Sequence, residues 1–303
     1  IGNESINIAS GGTLKTSSGT SSTSGAISSG VIEVSSGAQL TLSGKFEDDN
    51  TNGSLVKNGT GTLIITNSTN NYGATVINTG TLQVGNGGST GKLGRLVVTN
   101  NSNLYINRSD SVNLSSIVSS IDGISGTGDI TAHIGGALNV DRTISLSGAS
   151  SKIILAAGYN TAAGTESGGD VTLTNTITTS NTGTVTIFSG NTNTNTLNSK
   201  IAGATGETKY KTYNVNNTAI SVAVAGTRNF YYRTDPKLTI SDLTASKIYD
   251  GNINAVSPLS GGSVTGNIDG DSVYTIPNLS LASAIYSSKD AGSWTLSASY
   301  TAP

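Results

Sequence analysis

The sequence predicts an all-β fold: a right-handed parallel β-solenoid (β-helix) followed by a small β-rich domain. Three observations predict it. Short segments with apolar residues at every second place recur along the chain, and a period of two puts one strand face inward and the other outward. Gly and Asn sit between these segments, where tight turns need them. No helical stretch separates them, so many short strands at close, regular spacing read as one repeated unit wound on itself.

The pattern is plainest at Ser36–Ser43, Gly59–Thr66, Thr79–Gly85, Gly128–His133 and Gly183–Phe188. In chain order, further strands are predicted at Gly30–Val34, Leu40–Leu42, Leu63–Ile65, Ala74–Ile77, Leu82–Val84, Arg95–Val98 and Asn103–Ile106. Ala137–Val140, Thr143–Leu146, Lys152–Leu155, Val171–Leu173 and Ala219–Val222 follow. Thr, Val and Ile favour this pleated, half-buried setting. At the corners, Asn67, Asn70, Asn71, Asn86 and Asn100 can hydrogen-bond up and down a stack. A coil of roughly 20 residues gives about ten coils over residues 1–225, and about 4.8 Å per coil gives a rod of about 50 Å. A β-sandwich or several small β domains is the alternative architecture.

Three segments break the pattern. In 109–127, Val112, Leu114, Ile117, Val118 and Ile121 mark a helical turn or an excursion from the coil. Segments 158–170 and 189–212 are poor in apolar residues and read as protruding loops. Composition changes near residue 226. Residues 226–235, with Phe230, Tyr231 and Tyr232, read as an aromatic cap and linker, and 236–303 as a separate β domain. All four prolines (236, 258, 277 and 303) and the single tryptophan, Trp294, fall in that last segment.

Composition excludes several classes. Of 303 residues only 11% are charged, and the net charge is −2. Disordered chains pair low hydrophobicity with high net charge, and nucleic-acid binders carry a basic face; neither description fits. No apolar run approaches the roughly 18 residues of a membrane-spanning helix. Cys and Met are both absent, no signal peptide is visible, and the chain begins at Ile1. It is therefore read as an excerpt of a longer, processed polypeptide. The lack of Cys forbids disulfides and suits a chain that crosses a membrane unfolded.

Motifs for chemistry are sparse. The one histidine, His133, lies in Ile130–Ile134 with no acid–Ser pattern beside it and is read as structural or solvent-facing. A polysaccharide-cleaving β-helix would need acids clustered on one face, but Asp110, Asp122, Asp129, Asp141 and Glu166 are widely spaced. Glu47–Asp49 and Asp269–Asp271 could hold Ca2+ through oxygen ligands, but a solvated acidic turn is the plainer reading. No catalytic residue, cofactor or metal is predicted.

The C-terminal stretch carries Leu243–Gly251, then Gly270–Asp271, then Lys289–Gly292. That series resembles the YDG-type domain of large bacterial adhesins, named for the Tyr249, Asp250, Gly251 triplet. Residues Lys247, Tyr249, Asp250, Gly251, Lys289, Asp290 and Gly292 form its structural motif, with Asp250 and Gly251 closing a turn and Tyr249 in a core. Lys247 is also a candidate for a Lys–Asn isopeptide bond. The family pattern runs on past Gly292, so the domain is read as truncated at Pro303, or as completed by residues beyond it or from a neighbouring chain. Upstream, Lys57–Ile65 and Asn71–Gly85 resemble the autotransporter-associated β-strand repeat. Segment 126–190 is similar to the shaft of filamentous-haemagglutinin-like exoproteins.

The resemblance implies a secreted adhesin at the surface of a Gram-negative bacterium, exported by two-partner secretion or as an autotransporter passenger. Implied partners are glycans or proteins of host or bacterial cell surfaces, or matrix, together with an outer-membrane secretion partner, and no nucleic acid. A self-assembling fibre or biofilm filament is the alternative, and a polysaccharide-active enzyme a third. The sequons at Asn3, Asn52, Asn58, Asn67, Asn100, Asn107, Asn113, Asn216 and Asn278 are read as chance products of an Asn-, Ser- and Thr-rich chain.

Overall fold

Strands that alternate apolar and polar residues can bury one face only against a neighbour with the same alternation. A computed structural model shows that the neighbour is the next coil. It describes residues 12–16, 20–23, 30–46, 53–190, 197–204, 209–212, 215, 226–235, 239–255, 260–265 and 280–301. The chain divides into two compact units after Asp235.

The first unit is a parallel β-solenoid. One sheet has nine strands in strict chain order, from Gly12–Thr16 through Gly30–Val34, Leu55–Asn58 and Val98–Asn100 to Ile201–Ala202. A second has ten, including Gln39–Leu42, Thr62–Ile65, Asn103–Arg108, Asp129–Ile134, Lys152–Ala157 and Thr184–Ser189. All neighbours in both sheets pair in parallel. A third sheet joins Val112–Asn113, Leu138–Val140 and Val171–Leu173. The 109–127 segment founds it. Val112, Leu114, Ile117 and Val118 are buried around the short helix Leu114–Ile117, whereas Ile121 is 80% exposed.

Register turns the repeat into columns of like residues. Leu40, Leu63, Leu82, Leu104, Ile130, Ile153 and Val185 stack in sequence inside the second sheet. Each is at most 3% exposed, and burying such a side chain is worth roughly 1.5–3 kcal/mol. In the first sheet Leu55, Thr75, Val98, Ile124, Ile144 and Ile177 do the same. Thr75 is fully buried there, and its hydroxyl meets the Tyr72 hydroxyl at 2.9 Å. Coils pack so closely that a Cβ at Gly128, whose φ is ordinary, would collide with the Ser102 carbonyl.

Polar groups inside the columns are tied across coils. Lys57 stands between Ile32 and Ile77 and is fully buried. Burial pushes its pKa down to about 8. Its ammonium donates to the carbonyls of Asn58 (2.9 Å), Gly59 (2.7 Å) and Thr79 (3.0 Å), so the side chain pins one coil to the next. Buried Asn100 donates to the Asp129 carbonyl at 2.8 Å. Arg108 donates to the carbonyls of Gly91 and Ser89 and pairs with Asp110 at 2.8 Å.

Three sequence expectations need correction. Segment 189–212, read as a protruding loop, holds Ile201–Ala202 and Lys209–Thr212, strands of the two long sheets. The Arg95–Val98 strand begins later, at Val98–Asn100. Arg95 and Leu96 form a corner whose amides bond the carbonyls of Tyr72 and Gly73 in the coil before. Residues 226–235 are no linker: Arg228–Tyr232 is a strand wedged between Thr184–Ser189 and Lys209–Thr212. Phe230 and Tyr232 point inward there, each 1% exposed. Segment 158–170 is a mostly exposed loop, as expected, and one side chain ties it down. Arg233, 3% exposed, donates to the carbonyls of Ala157 (2.7 Å), Gly169 (2.7 Å), Thr165 (3.4 Å) and Ser167 (3.4 Å). The predicted Ala219–Val222 strand lies outside the described residues.

The C-terminal unit holds two antiparallel pairs, Thr239–Thr244 with Ser260–Thr265 and Ser280–Tyr286 with Leu296–Thr301. A bridge links Asn254 to Ile285.

Candidate functional site

The solenoid presents its outward groups in rows, because in-register stacking repeats outward residues as it repeats inward ones. Thr99, Ser125, Ser145 and Thr178 form one outward hydroxyl row on the first sheet. On the third sheet, the Asn139 amide donates to Asn113 Oδ1 at 3.1 Å and accepts from the Thr174 hydroxyl at 3.0 Å. Asn78 likewise donates to Asn58 at 2.9 Å. Of the corner amides expected to bond between coils, Asn67, Asn70 and Asn100 do so, to the carbonyls of Ser43, Lys92 and Asp129, whereas Asn86 accepts from Gln83 in its own coil.

His133 belongs to an aromatic cluster that the spacing of the residues in sequence conceals. Its ring stacks on Tyr159 with centroids 3.8 Å apart and meets Tyr105 edge-on at 5.2 Å. Tyr105 and His133 lie on adjacent strands, and the Tyr105 hydroxyl is 3.0 Å from His133 Nδ1. Burial holds the imidazole below its ordinary pKa. The neutral ring can therefore accept a hydrogen bond from the Tyr105 hydroxyl at Nδ1. A second pair, Phe188 and Tyr231, stacks at 4.6 Å.

The scattered acids do not converge. Asp110 holds Arg108, Asp129 accepts from the Lys152 amide at 2.8 Å, and Asp141 accepts from the Ser115 amide at 2.8 Å. Asp122 sits on an exposed turn, and Glu166 lies in the 158–170 loop. Among the described residues, no group of three or more His, Cys, Asp or Glu could hold a metal ion. Glu47–Asp49 and Asp269–Asp271 lie outside the described residues.

The structure brings most of the C-terminal motif together. Lys247, Tyr249, Lys289, Asp290 and Gly292 line one cleft of about 500 Å3, and Asp250 and Gly251 form the turn beside it, with Gly251 at φ +77°. The Lys247 ammonium donates to Asp250 Oδ1 (2.7 Å), the Asn252 carbonyl (2.8 Å) and Asn252 Oδ1 (2.8 Å). Tyr249 is not a core residue: it is 62% exposed, because this turn stands at the rim of the cleft. The amine does lie beside a carboxamide, as an isopeptide would need. The Lys247 hydrogen bond also holds the Asp250 carboxyl below the usual carboxylate range.

Over 80 residues the chain is 40% identical to the adhesin BmaC autotransporter of Brucella suis biovar 1 (strain 1330). That stretch covers 26% of this chain and 2% of the relative. The chain thus spans a very small part of the relative's length. No family model matches the chain, and no solved structure matches it significantly.

Proposed function

We propose that this chain is a segment of an extracellular bacterial surface adhesin, exported across the outer membrane by a secretion partner. The solenoid is a shaft that projects from the cell and presents binding surfaces to glycans, proteins or matrix. One observation carries the reading: the continuous register of parallel coils, which repeats outward hydroxyls along the face of the first sheet and outward amides along the third. Many weak contacts along such a face add by avidity, without a single deep pocket. The likeness to an autotransporter adhesin supports it. The C-terminal unit, on this reading, is a YDG-type module in series with the shaft.

The test is attachment. Beads coated with the folded chain should bind cultured epithelial cells or an extracellular-matrix film. Beads coated with a variant unfolded by Leu104→Asp should not. Equal attachment by both, or by neither, would overturn the proposal.

A further inference from the structure

The cleft in the C-terminal unit has a composition unlike the rest of the molecule. Aromatic residues make up 5% of the chain, yet Tyr249, Tyr286 and Trp294 all line this one cavity. Its volume of about 500 Å3 lies in the range of small-ligand sites. Trp294, 45% exposed, has its indole N–H tied to the Asp290 carbonyl at 2.6 Å. That bond fixes the ring while leaving it accessible. The Tyr286 hydroxyl is buried and has no hydrogen-bond partner among the described residues.

Charge narrows the ligand. Lys247 is held by Asp250 and Asn252 and lies 5.9 Å from the Tyr286 ring centre, and Lys289 lies 3.9 Å from Asp290. Each cation at the cleft thus has its own carboxylate, which leaves no surplus charge to select an anion or a metal ion. A fixed, exposed indole and exposed polar groups such as Ser293 suit a ligand with apolar faces and many neutral hydroxyls. We infer that the cleft binds a neutral saccharide, whose ring stacks on Trp294. This deepens the adhesin reading by naming a ligand class, but it stands on the cleft alone.

Trp294 is the chain's only tryptophan, so intrinsic tryptophan fluorescence of the full chain reports this cleft and nothing else. Titration with cellotetraose, chitotetraose, mannotetraose and lactose should give a saturating blue shift with at least one. Sialyllactose and a heparin tetrasaccharide serve as anionic controls. Calorimetry with the responding sugar should show about tenfold weaker binding for Trp294→Ala and near-native binding for Trp294→Phe, since stacking is worth roughly a factor of ten. No shift with any neutral sugar, a shift with the anionic sugars alone, or unchanged affinity in Trp294→Ala would overturn the inference. Beads carrying Trp294→Ala separate the two proposals. Loss of sugar binding with attachment retained keeps both the cleft and the adhesin reading. Absence of sugar binding by the native chain, with attachment intact, removes the cleft alone.

Discussion

The solenoid and the C-terminal unit are both built from short β-strands, but they bury their side chains very differently. In the solenoid, columns such as Leu104, Ile130 and Ile153 are at most 1% exposed. In the C-terminal unit Ala284 is the only buried hydrophobic residue among those described, while Ile248, Tyr249, Ile253, Ile285 and Trp294 range from 41% to 92% exposed. Parallel stacking sets each inward side chain against its equivalents above and below, so every added coil extends one core. A two-stranded antiparallel pair has two open edges and two faces, and is marginal alone. The solenoid thus has one continuous core, while the C-terminal unit keeps aromatic and polar groups accessible.

Paired truncations should break this symmetry most visibly. Ile130→Ala should cost about 2–5 kcal/mol, because the rigid column cannot collapse onto the cavity. Ile285→Ala, at a site 41% exposed, should cost under about 1 kcal/mol. Chemical denaturation followed by circular dichroism gives both values. Equal costs would mean that the two regions share one kind of core.

Arg233→Met should come next, at about 2–4 kcal/mol, since hydrogen bonds to a charged group are worth roughly 1.5–3 kcal/mol. Its signature is local. Amide exchange should quicken in residues 158–169, whose carbonyls Arg233 holds, and stay unchanged in 280–301. Lys57→Met keeps the volume but leaves the carbonyls of Asn58, Gly59 and Thr79 without their donor. A loss of about 1–3 kcal/mol is expected in thermal melts. A stabilised variant would show that burying the ammonium costs more than its three bonds return.

The smallest effect concerns pH. Burial holds His133 below its ordinary pKa, so the unfolded chain takes up the proton first as the solution is acidified. The contribution is full above about pH 6.5 and falls as pH drops through and below it, toward the folded-state pKa. The melting temperature should fall over that window, and His133→Phe, which keeps a stacking ring under Tyr159, should remove that part of the fall.

Most of the shaft was legible in the sequence because period-two alternation is a local signal. Gly30–Val34, Leu63–Ile65 and Lys152–Leu155 needed no knowledge of their neighbours to be read as strands. What was hidden depends on register between coils. The Tyr105–His133–Tyr159 cluster joins residues 28 apart for Tyr105 and His133, and only the pairing of the coils brings them together. Arg233 reads as linker because its partners lie 64–76 residues back. The C-terminal cleft was half legible: the segments around Lys247 and Lys289 both line it, but the exposure of Tyr249 and Trp294 depends on how two strand pairs meet.

The central claim is that neighbouring coils pair in parallel and in register, and cysteine pairing tests it most directly, since the chain has no cysteine of its own. Thr131 and Ile154 are register partners on adjacent coils. Thr131→Cys with Ile154→Cys should cross-link readily under mild oxidation. Thr131→Cys with Lys152→Cys, offset by two residues and so roughly 8 Å apart at Cα, should not. Cross-linking of the offset pair in place of the aligned one, or of neither, would contradict the stacked solenoid.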